Sequence, residues 1–503
     1  MEILHYLFLG FSEIFRIDAL TYCFAGVFIG TLIGVLPGIG PVGTMSLLLP
    51  FTNKASPLLA IIMLAGIYYG AMYGGSTTSI LVNIPGEAAS VVTCLDGYQM
   101  ARKGRAGPAL GIAAFGSFIA GTIGLIGLML VAPPLASIAL RFGPPEYFSL
   151  MCAGLTVLIY LASGSIVRAL MMAAFGVILG CIGLDPESGS SRFTFGIPDL
   201  LDGVGLAPFV MGLFGISEVF INIEQSLEDR SILTAKIKGL LPNWQDWKDS
   251  IMPISRGSVL GFLLGILPGG GAVVSAFVSY AVEKKISKHP ERFGTGTIEG
   301  VAAPESANNS ATAGAFVPLL TLGIPPNVIM AFLLGVLIIH GITPGPFFIS
   351  KNPEIFWGLI ASMYVGNIML LILNLPLIGL WVQVLKVPYK ILFPLILLFC
   401  IIGVYSINNS IFEIALMLIF GVLGYLMRKY KYEGAPMVLS FVLGPMFENS
   451  LRQSLLLSDG SFSIFFTRPI AAAGMIITIL LLIGSIIPAF RKKREAIPME
   501  EET

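Results

Sequence analysis

GVFIGTLIGVLPGIG, residues 26–40, returns as GSVLGFLLGILPGGG, residues 257–271. At the constant offset of 231, Gly26, Gly30, Leu32, Gly34, Leu36, Pro37, Gly38 and Gly40 recur as Gly257, Gly261, Leu263, Gly265, Leu267, Pro268, Gly269 and Gly271, eight identities in fifteen positions. All but the two leucines are residues that interrupt helices: proline removes a backbone donor and glycine admits positive φ. A second set of markers, Gly74, Ile84 and Pro85 against Gly314, Ile324 and Pro325, recurs at an offset of 240. The first motif leads to a polar, small-residue stretch, GGSTTSILVNIPG (Gly74–Gly86), and the second to PESANNSATAG (Pro304–Gly314). The chain therefore reads as two related halves, residues 1–223 and 257–490, joined by a charged linker over 224–256 and followed by a tail over 491–503.

The surroundings of these motifs define the class. Of 503 residues, 55% are hydrophobic and 12% are Asp, Glu, Lys or Arg, against about 25% charge in a soluble domain. Residues 19–53, 55–86, 106–140, 306–350, 355–385 and 469–490 carry no such charge, and each is longer than the roughly 20 residues that cross a bilayer. The expected fold is all-α: a polytopic integral membrane protein of two inverted repeats, with re-entrant or broken helices at the Gly–Pro motifs. Equal numbers of basic and acidic residues, 29 each, give no basic face for nucleic acid. The hydrophobicity excludes disorder. Cys23, Cys94, Cys152, Cys181 and Cys400 are scattered and form no metal or redox spacing. Residues 3–15 read as an interfacial helix, and the absence of a basic stretch before them speaks against a cleaved signal peptide.

Basic residues set the orientation. In the first half the loop at 50–57 holds only Lys54, whereas 97–108 holds Arg102, Lys103 and Arg105. In the second half, 283–292 holds Lys284, Lys285, Lys288 and Arg292, whereas 341–353 holds only Lys351. Equivalent loops differ in basic content, which predicts that the halves are inverted. Crossings expected at 355–380, 391–407, 411–428, 437–456 and 470–490 put Lys386, Arg428–Lys431 and Arg491–Arg494 on the same side as the linker, the cytoplasm.

A helix that breaks at Gly–Pro and resumes exposes N–H groups and a positive dipole end, which attract a carboxylate. Gly38, Ile39 and Gly40, with Gly270 and Gly271, are the expected backbone donors. A tightly packed or kinked helix is the alternative for either motif alone; the symmetric pair favours a site. Ser76, Thr77 and Thr78, with Asn308, Asn309 and Ser310 in the other half, are candidate side-chain donors, against the ordinary role of such groups in bonding back to their own helix. Asn83 and Glu305 are the candidate cation ligands: an amide oxygen can coordinate Na⁺, and an ionisable group at membrane depth is a functional candidate. Glu87 and Asp96 read instead as structural acids, paired with Arg102 or Arg105 at a surface loop. His5, His289 and His340 are isolated, and a proton role is open only for His340. No zinc-protease HExxH, no GxSxG and no phosphate-binding GxxxxGK[ST] occurs, so the chain does not read as an enzyme and carries no nucleotide motor of its own.

The stretch Tyr73–Gly111, YGGSTTSILVNIPGEAASVVTCLDGYQMARKGRAGPALG, resembles the signature of the large membrane subunit of tripartite tricarboxylate transporters. GVLPGIGP, GILPGGGA, Glu299–Pro325 and Leu337–Pro346 resemble its other motifs. The resemblance implies a secondary transporter of the bacterial inner membrane with a cytoplasmic C-terminus. Its substrate would be citrate or a related carboxylate, and its coupling ion Na⁺ or H⁺, with no further cofactor. Its partners would be a small membrane subunit and a periplasmic solute-binding protein. Pro326 and Asn327 depart from the Gly and Ser expected after Gly323-Ile324-Pro325. Movement of the repeat cores against a scaffold of the remaining helices is the expected mechanism. An ion channel or gate built on the same motifs, and a membrane scaffold without transport, are the alternative readings.

Overall fold

The structure, a computed structural model, describes residues 2–36, 40–161, 165–185, 187–224, 239–269, 271–385 and 389–486. It is helical almost throughout, with one two-stranded hairpin, Gly183–Leu184 against Ser191–Arg192. The main helices are α1 (Glu2–Ile14), α2 (Ile17–Val35), α3 (Gly40–Asn53), α4 (Pro57–Val82), α5 (Ala106–Ala139), α6 (Pro144–Leu161) and α7 (Ile166–Gly180). A helical stretch over 206–224 is α8, and its middle, Met211–Ile216, is wound as a π-helix. Then come α9 (Trp244–Ile266), α10 (Gly271–Ile286), α11 (Glu299–Leu322), α12 (Val328–Ile339) and α13 (Pro353–Asn374). The chain ends in α14 (Tyr389–Asn408), α15 (Ile411–Lys429), α16 (Gly434–Leu457) and α17 (Pro469–Ile486). Among the described residues, α2, α4, α5, α13 and α15 are long and apolar enough to cross a membrane. Their outer surfaces expose Ile126, Leu130, Ile368, Ile419 and Val422, as a lipid-facing protein requires. This is an all-α, multi-pass membrane protein.

Both Gly–Pro motifs interrupt a helix where the sequence says they should. Helix α2 ends at Val35 and α3 starts at Gly40; α9 ends at Ile266 and α10 starts at Gly271. Gly40 (φ +65°) and Gly271 (φ +52°) take left-handed backbone conformations that a side chain disfavours.

The core is two pairs of helices held backbone to backbone. In the first, Gly26, Gly30 and Gly34 of α2 face the carbonyls of Met63, Ile67 and Ala71 in α4. In the second, Gly257, Gly261 and Gly265 of α9 face the carbonyls of Ala303, Ala307 and Ala311 in α11. The glycines are related by 231 and their partners by 240, the two offsets seen in the sequence. The reverse contact repeats as well, with Gly74 against Thr31 and Gly314 against Phe262. A Cβ on Gly30 would lie 2.6 Å from the Ile67 carbonyl oxygen, so small residues are a condition of this approach. The buried stretches Ala60–Leu81 of α4 and Gly300–Thr321 of α11 also coincide at 240. Both helices end in a left-handed residue, Asn83 (φ 61°) and Gly323 (φ 68°).

Around this core, α5 lies along α11, α10 closes its far side, and α13 covers α2, α4 and α5. Helices α6, α7, α16 and α17 form a second group, and α8, α14 and α15 a third. Two expectations shift. The crossing expected over 355–380 stops at Asn374, and a separate short helix runs Ile378–Val384; Pro376, which cannot donate, stands at the break. Helix α9 starts at Trp244, inside the stretch read as linker, because Asn243 and Asp246 form a reciprocal capping box there. Residues 225–238 of that linker and the tail 491–503 lie outside the described residues.

Gly30→Val and Gly261→Val should each lower stability in detergent by about 2–3 kcal/mol, read as a lower Tm. Gly379→Ala, where an added Cβ meets nothing within 4 Å, should leave Tm unchanged.

Candidate functional site

The polar segments of α4 and α11 meet at the centre of the core. Helix α11 is too polar to face lipid, and it is buried from Gly300 to Thr321. Within it Glu305 is fully buried. Ser76 Oγ of α4 donates to its Oε2 at 2.6 Å, Asn308 Nδ2 donates to the same oxygen at 3.3 Å, and Thr93 Oγ1 donates to Oε1. Asn309 Nδ2 donates to Ser117 Oγ of α5 at 2.8 Å and to the Glu305 carbonyl at 3.1 Å. Among the described residues no Lys or Arg forms an ion pair with Glu305. A carboxyl so placed is held by neutral donors alone, an arrangement that favours an added proton or metal cation when it is ionised.

The other predicted donors are distributed differently. Thr78 Oγ1 gives its proton to the Val35 carbonyl at 2.6 Å, at the point where α2 loses its own helical partners. Thr77 lies one position from Ser76 and is buried. Ser310 Oγ is buried without a hydrogen-bond partner among the described residues. Asn83 is exposed at the end of α4, two turns beyond Ser76, and Glu305 is held by other residues. The left-handed backbone at Asn83 accounts for an asparagine there, since Asn tolerates that region better than most side chains. Gly38, Ile39 and Gly270 lie outside the described residues. Gly40 and Gly271 begin α3 and α10, and each carbonyl accepts a hydroxyl from one turn on, Thr44 at 2.9 Å and Ser275 at 2.6 Å.

A second junction lies where two helix N-termini converge. Asn327 caps α12, its Oδ1 accepting from Met330 N at 3.0 Å, and a Cβ placed on Gly271 would be 3.9 Å from its side chain. Its Nδ2 reaches the buried Tyr68 hydroxyl at 3.5 Å. The departure from the expected serine is thus a conservative one, because Asn and Ser cap equally well. Pro326 keeps its carbonyl in use, accepting from Gly269 N at 2.8 Å. The equivalent of Asn327 at offset 240 is Glu87, which caps Ala88–Ser90 through Ala89 N at 2.9 Å.

Asp96 corrects an expectation. It does not pair with Arg102 or Arg105; Arg105 binds Asp246 instead. Asp96 is fully buried and collects backbone N–H groups of Gly294, Gly296 (2.7 Å) and Thr297 (2.9 Å), with the Tyr280 hydroxyl at 2.9 Å. Successive N–H groups of a turn make a ready anion nest, and here it is filled from the other half of the chain.

Thr93, Ser117, Tyr68 and Asn327 were not singled out as ligands by sequence. Neither were Asn367 and Asn374, although two amides seven residues apart in a charge-free run mark one face of a helix. His340 takes no part in the Glu305 network.

Residues 20–439 match the Tripartite tricarboxylate transporter TctA family. The chain belongs to this family. An uncharacterized 52.8 kDa protein in the TAR-I ttuC′ 3′ region of Agrobacterium vitis is 49% identical over 502 residues, spanning 100% of both chains. An uncharacterized protein in the TAR-II ttuC′ 3′ region of the same organism is 50% identical over 242 residues, 48% of this chain and 100% of that one. No solved structure matches. Membership makes the chain a transporter subunit, and the Glu305 network lies within the matched span.

Glu305→Ala should strand three buried donors and cost about 1–3 kcal/mol. Glu305→Gln, which keeps most of them satisfied, should melt close to the wild type in the same thermal scan.

Proposed function

We propose that this chain is the translocating subunit of a tripartite importer for tricarboxylates such as citrate in the bacterial inner membrane. It takes substrate from a periplasmic binding protein, works beside a small membrane subunit and draws its energy from a Na⁺ or H⁺ gradient. The two halves are inverted in the membrane and the C-terminus is cytoplasmic, a reading that rests on the alternation of basic loops. The observation that carries the function is the doubled helix break before Gly40 and Gly271, each with a resumed helix behind it.

The two halves divide the work by charge. In the first, the Glu87 carboxylate already occupies a helix N-terminus. In the second, the neutral Asn327 stands in its place, and the starts of α10 and α12 lie side by side. Two positive dipole ends with a neutral cap suit an anion better than one end that holds its own acid. The substrate carboxylates are accordingly placed against Gly270, Gly271 and Asn327, with Gly38, Ile39 and Gly40 completing the site. Ser76 and Asn308 bond the Glu305 carboxyl and serve the cation; Thr77, Thr78, Asn309 and Ser310 serve the substrate's far side, and Asn83 is the more distant candidate of the cation pair.

The test is uptake of labelled citrate into proteoliposomes holding both membrane subunits, supplied with the loaded binding protein. Gly38→Leu and Gly270→Leu should reduce uptake by at least about tenfold, some 1.4 kcal/mol, while Tm and gel-filtration profile are kept. Normal uptake by the folded variants overturns the site. Ion flux that does not saturate, without carboxylate movement, would identify a channel instead.

A further inference from the structure

Next to the Glu305 network lies a closed-in cavity of about 10 Å³, room for about one water-sized body. Its polar lining comes from three helices: Tyr73, Ser76 and Thr77 of α4, Ser117 of α5, and Asn374 at the end of α13. The rest of the lining is apolar.

The directions of the protons give this cavity its character. Tyr73 donates its hydroxyl to Asn367 Oδ1 at 2.6 Å. The amide of Asn367 is fixed in that sense, because its Nδ2 donates to the Phe118 carbonyl at 2.9 Å. Ser76 gives its proton to the Glu305 carboxyl, and Ser117 points its own at the Glu305 carbonyl at 3.4 Å. Asn374 donates Nδ2 to the Leu370 carbonyl at 2.9 Å, which leaves Oδ1 on the other side of the amide. That oxygen is buried with no hydrogen-bond partner among the described residues, on a side chain only 4% exposed. Thr77 is 2% exposed and free to turn its oxygen inward. The committed protons thus point away from the space, and what faces it is oxygen lone pairs.

We propose that this cavity is the seat of a dehydrated alkali cation of Na⁺ size, bound by hydroxyl and amide oxygens, with Glu305 supplying the compensating charge one hydrogen bond behind Ser76. An anion would meet the unpartnered Asn374 Oδ1 and, one hydrogen bond behind Ser76, the Glu305 carboxyl. A divalent ion would meet a single carboxyl, where such ions gather several charged or carbonyl oxygens. Asn374 is the residue that adds specificity, because its amide oxygen is buried with no hydrogen-bond partner among the described residues. The site joins α13 to the paired core, so occupancy ties a helix outside the repeats to the Ser76–Glu305 contact. Its role as the coupling site rests on the transport reading above; the binding itself does not.

The test uses the full chain purified in detergent, without carboxylate or partner subunits. Thermal unfolding is followed while NaCl replaces choline chloride at constant ionic strength, and binding of radiolabelled Na⁺ is measured at equilibrium. The wild type should show a saturable, Na⁺-specific rise in Tm and bind one ion. Asn374→Leu and Thr77→Val should each weaken the apparent Na⁺ affinity by about tenfold, and Asn374→Asp, which keeps an oxygen there, should retain it. Thr77→Val nearly preserves shape and decides the matter should Asn374→Leu not fold. Equal responses to Na⁺ and choline, or unaltered Na⁺ binding in folded variants, overturn the proposal and leave a water-filled cavity. Na⁺ binding without citrate uptake would sink the transport reading and spare the site; uptake by a Na⁺-blind protein would do the reverse.

Discussion

The closest constraint in this protein is the approach of helix backbones in α2–α4 and α9–α11. In lipid there is little hydrophobic gain from bringing two apolar helices together, so the contact depends on dispersion and fit. Three glycines spaced by four on α2, and three on α9, let each helix lie on the carbonyls of its partner. That approach buries α4 and α11 along nearly their whole length. Burial in turn permits a polar α11, since its Pro304, Glu305, Asn308 and Asn309 never meet hydrocarbon. The polar centre is therefore a consequence of the glycine stripes, although the two are far apart in character.

The Glu305 network shows what this environment demands. The donors to the carboxyl come from different elements, Ser76 on α4, Thr93 beyond it and Asn308 on α11, and Ser117 of α5 bonds the main-chain carbonyl of Glu305. The acid is shared property of both halves. Removing water around such groups strengthens each surviving hydrogen bond and raises the penalty for leaving one unmade. A change at this point is thus felt by three helices at once.

Much of the architecture was legible in the sequence. Charge-free runs located the apolar helices, and the two repeat offsets return in the glycine–carbonyl contacts of the core. The helix breaks expected at the Gly–Pro motifs fall between Val35 and Gly40 and between Ile266 and Gly271. What stayed hidden needs three dimensions. Thr93 and Glu305 are 212 positions apart, and no periodicity links them. That Asn83 ends α4 in a left-handed backbone was not visible in the run of apolar residues around it. Asp96 looked like a partner for nearby arginines, whereas three backbone N–H groups outcompete them. Asn374 was visible only as one amide in a charge-free stretch, and its unpaired oxygen emerges once α13 is laid beside α4 and α5.

The nest around Asp96 also has a mechanical meaning. A residue of the first half is bound by the turn that launches α11 in the second, with Lys103 reinforcing it on the Thr295 carbonyl at 2.5 Å. Charge-assisted bonds to buried groups are among the stronger ones in a protein, and this set would have to break together for the halves to part at that end. At that end the seam between the two halves is a rivet line, not a hinge.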